Sequence, residues 1–225
     1  MKKHLTIFIL LLISIICFAE GKKDPNPVVL NEGVTEQDFC SELEVKVLRE
    51  LNYARTHPQK YAAFIEDTLQ YYQGSMLCYP NEIRLRTNEG TRAVKEAINF
   101  LRNQTPLKPM LLSRGMSLAA QAHVRDQGPK GSTGHTGSDG SSPFDRINRY
   151  GKWDVTSGEN IDYGNNIARR IVMSLIIDDG VSGRGHRKNI FNSKFNVVGI
   201  GCGSHKGYRH MCVMDFAGKY KEKTK

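Results

Sequence analysis

The chain of 225 residues has one tryptophan and five cysteines, and no two cysteines stand in a Cys-x-x-Cys spacing. That excludes a zinc site built from such thiolate pairs. No Gly-x-Ser-x-Gly turn is present, so the nucleophile elbow of the α/β-hydrolases is missing. The one long apolar run, Leu5 to Phe18, falls short of the roughly 20 residues a membrane-spanning helix needs. Internal repeats and a βαβ rhythm are also absent, which leaves an α+β arrangement.

What is there begins with a leader. Met1-Lys2-Lys3-His4 supplies a basic flank, the apolar run follows, and Cys17-Phe18-Ala19 ends on a small residue. This pattern marks residues 1–19 as a secretory signal peptide, places the protein outside the cell and leaves it no stable membrane anchor once cleaved. Cleavage leaves 30 basic against 23 acidic residues over 206 positions, enough for one domain with a sizeable core. The charge is dispersed except in Lys219 to Lys225, which is expected to be a solvated basic tail. A monomer with no nucleic-acid partner is expected. The single sequon is Asn103-Gln104-Thr105.

Four cysteines remain after cleavage: Cys40, Cys78, Cys202 and Cys212. An even count in an exported chain argues for two disulfides. Cys202 and Cys212 flank a hairpin pattern and are expected to pair, which matches Cys40 with Cys78.

Residues 20–38 form a polar leader with no apolar period, and the folded domain is expected over 39–218. Helical spacing covers Asp38 to Thr56, where His57-Pro58 stops the helix, and Pro58 opens a second one. Further helices are expected over Thr91 to Arg102 and from Ser113, a suitable N-cap, to Asp126. The Gly- and Ser-rich stretch from Gln127 to Pro143 reads as loop. A short helix at Phe144 to Tyr150, a strand near Asn160 to Tyr163 and an amphipathic helix from Ile167 to Asp179 follow. Two β-rich runs, Asn196 to Cys202 and His210 to Phe216, close the domain as a hairpin.

Three Gly-flanked segments carry proton- or metal-capable side chains: Gly134-His135-Thr136-Gly137, Ser157-Gly158-Glu159-Asn160-Ile161 and Arg184-Gly185-His186-Arg187. Glycine lets the backbone turn beside each of them, so His135, Glu159 and His186 are expected to meet in one pocket. Two imidazoles and a carboxylate suit an open-sited divalent metal such as zinc. Asp178 and Asp179 end a helix where the macrodipole disfavours carboxylates, and both lie on its apolar half. They need a partner, which Arg184, Arg187 or a nearby histidine can supply.

Asn52-Tyr53-Ala54-Arg55, His135-Thr136-Gly137-Ser138-Asp139-Gly140, Gly158-Glu159-Asn160-Ile161, Gly185-His186-Arg187-Lys188-Asn189-Ile190 and Gly199-Ile200-Gly201 occur in that order. Together they resemble the CAP superfamily, the cysteine-rich secretory proteins, antigen 5 and pathogenesis-related proteins, in its bacterial and protist branch. The resemblance implies an extracellular three-layer α-β-α sandwich with a cleft of two His and two acidic residues. His135, Glu159 and His186 match three of those positions, and Asp178 stands where animal and plant members carry Glu. Leu51 replaces the His that often opens the first motif.

Fold does not fix activity. The resemblance implies first a secreted binding module whose cleft takes a divalent metal and whose surface takes a lipid, sterol or protein. The alternatives are an extracellular hydrolase, with metal on His135 and His186 and Glu159 as general base, and a structural protein in which the four residues are a brace. The balance of the sequence leans away from an enzyme.

Overall fold

The structure, a computed structural model, describes residues 39–223. The expected signal peptide and the leader over 20–38 lie outside the described residues. Among the described residues no helix is long and apolar enough to cross a membrane.

The chain opens with α1 (Glu42–Thr56), whose first turn is closed by a capping box between Ser41 and Glu44. Pro58 starts α2 (Pro58–Glu66) and a 3-10 turn (Asp67–Tyr71) extends it. A small antiparallel sheet follows, β1 (Tyr72–Gln73), β2 (Met76–Leu77) and β3 (Leu85–Arg86), then α3 (Thr91–Asn103). The main body is completed by β4 (Leu111–Leu112), α4 (Arg114–Lys130), α5 (Pro143–Asn148), β5 (Gly151–Tyr163), α6 (Ala168–Ile177), α7 (Gly185–Ile190), β6 (Val197–His205) and β7 (Arg209–Glu222).

The four-stranded sheet has the order β4-β6-β7-β5, with β4 parallel to β6 and the other pairs antiparallel. Helices α1, α6 and α7 lie on one face with α2 and α3 packed against α1 and α6, and α4 with α5 covers the other. This is the expected three-layer α-β-α sandwich. Strand alternation sorts the core. On β6 and β7, Val198, Ile200, Met214 and Phe216 join the larger cluster beneath α1 and α6, while Val197, Met211, Val213 and Ala217 meet α4.

On the α4 face, β6 alternates into Gly199, Gly201 and Gly203, and the reason is proximity. A Cβ on Gly199 would stand 2.1 Å from the Met116 backbone carbon, and one on Gly201 would stand 2.4 Å from the Gln121 nitrogen. Helix α4 lies directly on the bare strand. Disulfide Cys202–Cys212 links the register partners of β6 and β7, as expected from the hairpin. The expected Cys40–Cys78 bond is not formed. Cys40 Sγ lies 3.9 Å from Ser117 Oγ on α4, whereas Cys78 Sγ lies 3.9 Å from the Met76 carbonyl in the small sheet. The two thiols are built into different parts of the fold.

Other elements differ from the sequence reading for local reasons. Helix α4 continues four residues past Asp126, to Lys130, because Gln127 and Gly128 are buried and pack as helix. Strand β5 starts at Gly151 rather than near Asn160, with Val155 at φ 76° in a register shift between Asp154 and Ser157. The expected tail is partly sheet. Residues 219–222 continue β7 against Gly151 to Asp154, with Tyr220 and Glu222 alternating with the exposed lysines. Tyr220 Oη donates to the Ile147 carbonyl, and Glu222 accepts from Ser113 Oγ and the Gly115 N–H at the start of α4.

Candidate functional site

Strand β5 is one edge of the main sheet, and its two faces organise the site. Glu159 points with Ile161 towards α4 and stands opposite Asp215 of β7. Asn160 and Asp162 point the other way, towards α7 and α6. Each expected imidazole approaches the edge from a different side.

His135 lies on the loop after α4. Its Nδ1 is 2.7 Å from Glu159 Oε1, and Glu159 Oε2 accepts from Arg146 Nη2 of α5 at 2.6 Å. The loop backbone is tied at several points. Arg146 Nη1 donates to the His135 carbonyl, and Gln127 Nε2 donates to the carbonyls of Gly134 and Thr136. Tyr163 Oη accepts from the Gly134 N–H and donates to Gln127 Oε1.

His186 sits at the start of α7. Its Nδ1 is 2.6 Å from Asp178 Oδ1, and Asp178 Oδ2 accepts the His186 N–H at 2.9 Å. Asp178 reaches this position because it ends α6 in the left-handed region, φ 57° and ψ 44°. The partner that the buried Asp178 needed is therefore the histidine. Arg184 instead forks to Glu89, just before α3, and to Glu96 within it, and Asp179 accepts the N–H groups of Asn88 and Glu89. Asn160 Nδ2 donates to the His186 carbonyl and Asn189 Nδ2 to Asn160 Oδ1, which fastens α7 to β5.

The four expected residues thus form two His–carboxylate dyads. The side chains of Glu159 and Asp178 are 2 % and 1 % exposed, against 52 % and 23 % for His135 and His186. The carboxylates stand behind the imidazoles, already committed to Nδ1–H, to backbone N–H groups and to Arg146. Among the described residues no three His, Cys, Asp or Glu side chains are grouped to hold a metal ion. In a neutral imidazole, a carboxylate at Nδ1 selects the Nδ1–H tautomer and leaves the Nε2 lone pair free, the arrangement in which a carboxylate orients a metal-binding or proton-accepting imidazole.

The sequence reading missed Arg146, Asp215, Asp162 and Gln127. Asp215 had a legible signal, because it occupies the inward phase of Met211, Val213 and Ala217 on an apolar strand. It is wholly buried, and burial, then the charge of Glu159, pushes its carboxyl well above the usual range, with Arg146 opposing. Burial likewise raises Asp162 to about 6 although Ser174 and Asn165 donate to it. Burial lowers His123, whose Nε2 is 3.0 Å from the Gly134 carbonyl. Arg146 gave no signal, since an arginine on a six-residue helix is ordinarily a surface residue.

An α-β-α sandwich with two carboxylate-held imidazoles on either side of its edge strand defines the class. Residues 95–216 match the cysteine-rich secretory protein family, and the chain belongs to it. The chain is 32 % identical over 110 residues to the uncharacterized protein YkwD of Bacillus subtilis (strain 168), covering 49 % of this chain and 41 % of that one. It spans less than half the length of that relative. Among solved structures it is similar to an extracellular SCP-domain protein of Bacillus anthracis, with 21 % identity, 56 % of this chain and 38 % of the other covered, and a TM-score of 0.40. It is also similar to an outer surface protein of Borrelia burgdorferi, with 18 % identity, 52 % and 80 % covered, and a TM-score of 0.42.

Proposed function

We propose that the protein is an exported binding module whose site at the edge of β5 offers two neutral imidazoles, His135 and His186, to a divalent cation. The observation that carries this reading is the repetition of one device. Two histidines from distant parts of the chain each have Nδ1 held by a buried carboxylate, at 2.7 and 2.6 Å, so that each turns Nε2 outward. Nitrogen donors of this kind favour zinc, copper or nickel over calcium or magnesium. The cation would hold and polarise a ligand at the edge. Glu159 and Asp178 would orient the two donors, and Arg146 would hold Glu159 in place.

A hydrolytic role finds less support, because Glu159 is enclosed between His135 and Arg146 and is not placed to take a proton from a bound water. The test is calorimetric titration with zinc at about pH 7.5 and about pH 5.5, on wild type and on the His135→Ala, His186→Ala double variant. One saturable site is expected, absent from the variant and weaker at the lower pH, where imidazole takes up a proton. Flat heats from wild type, or heats unchanged in the variant, would reduce the dyads to braces between the edge strand and its neighbours.

A further inference from the structure

The small sheet β1-β2-β3 carries a feature that the cation site does not use. Between Tyr79 and Thr87 positions 80 to 86 are all exposed, a surface tip that runs into β3. Ile83 is 69 % exposed and Leu85 51 %, the only large apolar side chains among the described residues to be exposed two positions apart. Arg84 and Arg86 alternate with them and make no ion pair among the described residues. The tip also lies outside residues 95–216, the part of the chain that matches the family.

The tip is held firmly at its base. Thr87 donates from both its N–H and its hydroxyl to the Ser75 carbonyl, at 2.8 and 2.7 Å. The Arg170 guanidinium lies 4.1 Å from the centre of the Tyr79 ring and pairs with Glu82. Asp179 then fastens Asn88 and Glu89 to the turn after α6. Ile83 and Leu85 are therefore displayed on a braced support.

We propose that Ile83, Arg84, Leu85 and Arg86 form a docking surface for an anionic phospholipid bilayer. A protein partner of ordinary affinity buries about 1,200 Å² or more in total, and a seven-residue segment with two large apolar side chains offers little of that. A bilayer surface yields to exposed apolar side chains, and neighbouring guanidinium groups meet lipid phosphates with matched charge and geometry. The excess of basic residues that remains after the expected cleavage, 30 against 23 acidic, adds attraction of the same sign. The tip does not depend on the cation reading, and the His135→Ala, His186→Ala variant should bind vesicles as wild type does.

The experiment is co-sedimentation of protein recovered from the medium of a secreting host with phosphatidylglycerol–phosphatidylcholine vesicles, against phosphatidylcholine alone. Binding is expected only with the anionic lipid, and it should fall as salt is raised. Ile83→Ser with Leu85→Ser, and separately Arg84→Ser with Arg86→Ser, should each weaken it by about tenfold. Their melting temperatures should match wild type, because the replaced side chains are exposed. Lys219→Ser with Lys221→Ser should weaken binding less than either tip variant does. The proposal fails if wild type does not bind, if both tip variants bind as wild type does, or if sedimentation equilibrium finds a dimer that the Ile83→Ser, Leu85→Ser variant dissolves.

Discussion

Glu159 of β5 and Asp215 of β7 are register partners, two buried carboxyls facing each other across adjacent strands with one guanidinium, Arg146, beside them. A single cation cannot balance two buried anions, and the raised value of Asp215 says which of the two keeps its proton. Arg146→Met should therefore cost about 3 to 5 kcal/mol, because it strands a buried anion. Asp215→Asn should cost less than about 1 kcal/mol at neutral pH. Urea denaturation of both variants checks the pair. Equal losses would mean that Asp215 is ionised in the folded protein.

Asp162 gives a pH dependence with a definite sign. Its folded value of about 6 lies above the value of about 4 expected for an unfolded aspartate. Below about pH 4 both states hold the proton. Between about 4 and 6 only the unfolded state releases it, so stability falls as pH rises, and above about 6 the loss is complete, of order 3 kcal/mol. Asp162→Asn removes this term. The stability difference between variant and wild type, measured by denaturant titration from about pH 4 to 7, should move in favour of the variant and then level off. A difference that stays constant over that range would contradict the assignment.

Arg55 is buried and donates to the carbonyls of Lys108, Ile190, Asn192 and Phe195. It joins α1 to the end of α7, the helix that carries His186. Burial lowers its value to about 10, which leaves it charged at neutral pH. Arg55→Ala leaves four carbonyls without this donor and should cost at least about 3 kcal/mol. Arg55→Lys should recover only part of it, since one ammonium cannot reproduce the fork. Thermal melts of the two variants distinguish these outcomes.

The contact between α4 and bare β6 predicts a sharp contrast between glycines. Gly201→Ala puts a methyl 2.4 Å from backbone and should cost more than about 3 kcal/mol, or abolish folding. At Gly185 a Cβ meets nothing within 4 Å, and Gly185→Ala should stay within about 0.5 kcal/mol of wild type. Chemical denaturation of both proteins is the check.

The long amphipathic helices and the β6-β7 hairpin were legible because burial writes a period into the sequence, as in Ile171, Val172, Leu175 and Ile176. His135, Glu159, Asp178 and His186 were legible from their glycine neighbours and from the helix-end aspartates. Their grouping into two dyads was not, because spacing along the chain does not say which face of an edge strand each residue approaches. Two-residue strands such as β4 are too short to show any alternation. The end of β7 was misread as tail because two of its inward positions are Tyr220 and Glu222, side chains that a composition-based reading assigns to solvent.

Strand β7, the last element of the described chain, lies in the interior of the sheet between β6 and β5, and its Glu222 caps α4. An N-terminal fragment that stops before Arg209 has no partner for β5 and nothing to close the α4 end. The sandwich must therefore assemble after residues 209–222 have emerged, and growing chains must stay open until then. Any step that handles the polypeptide as an extended thread has until residue 222 emerges in which to do so.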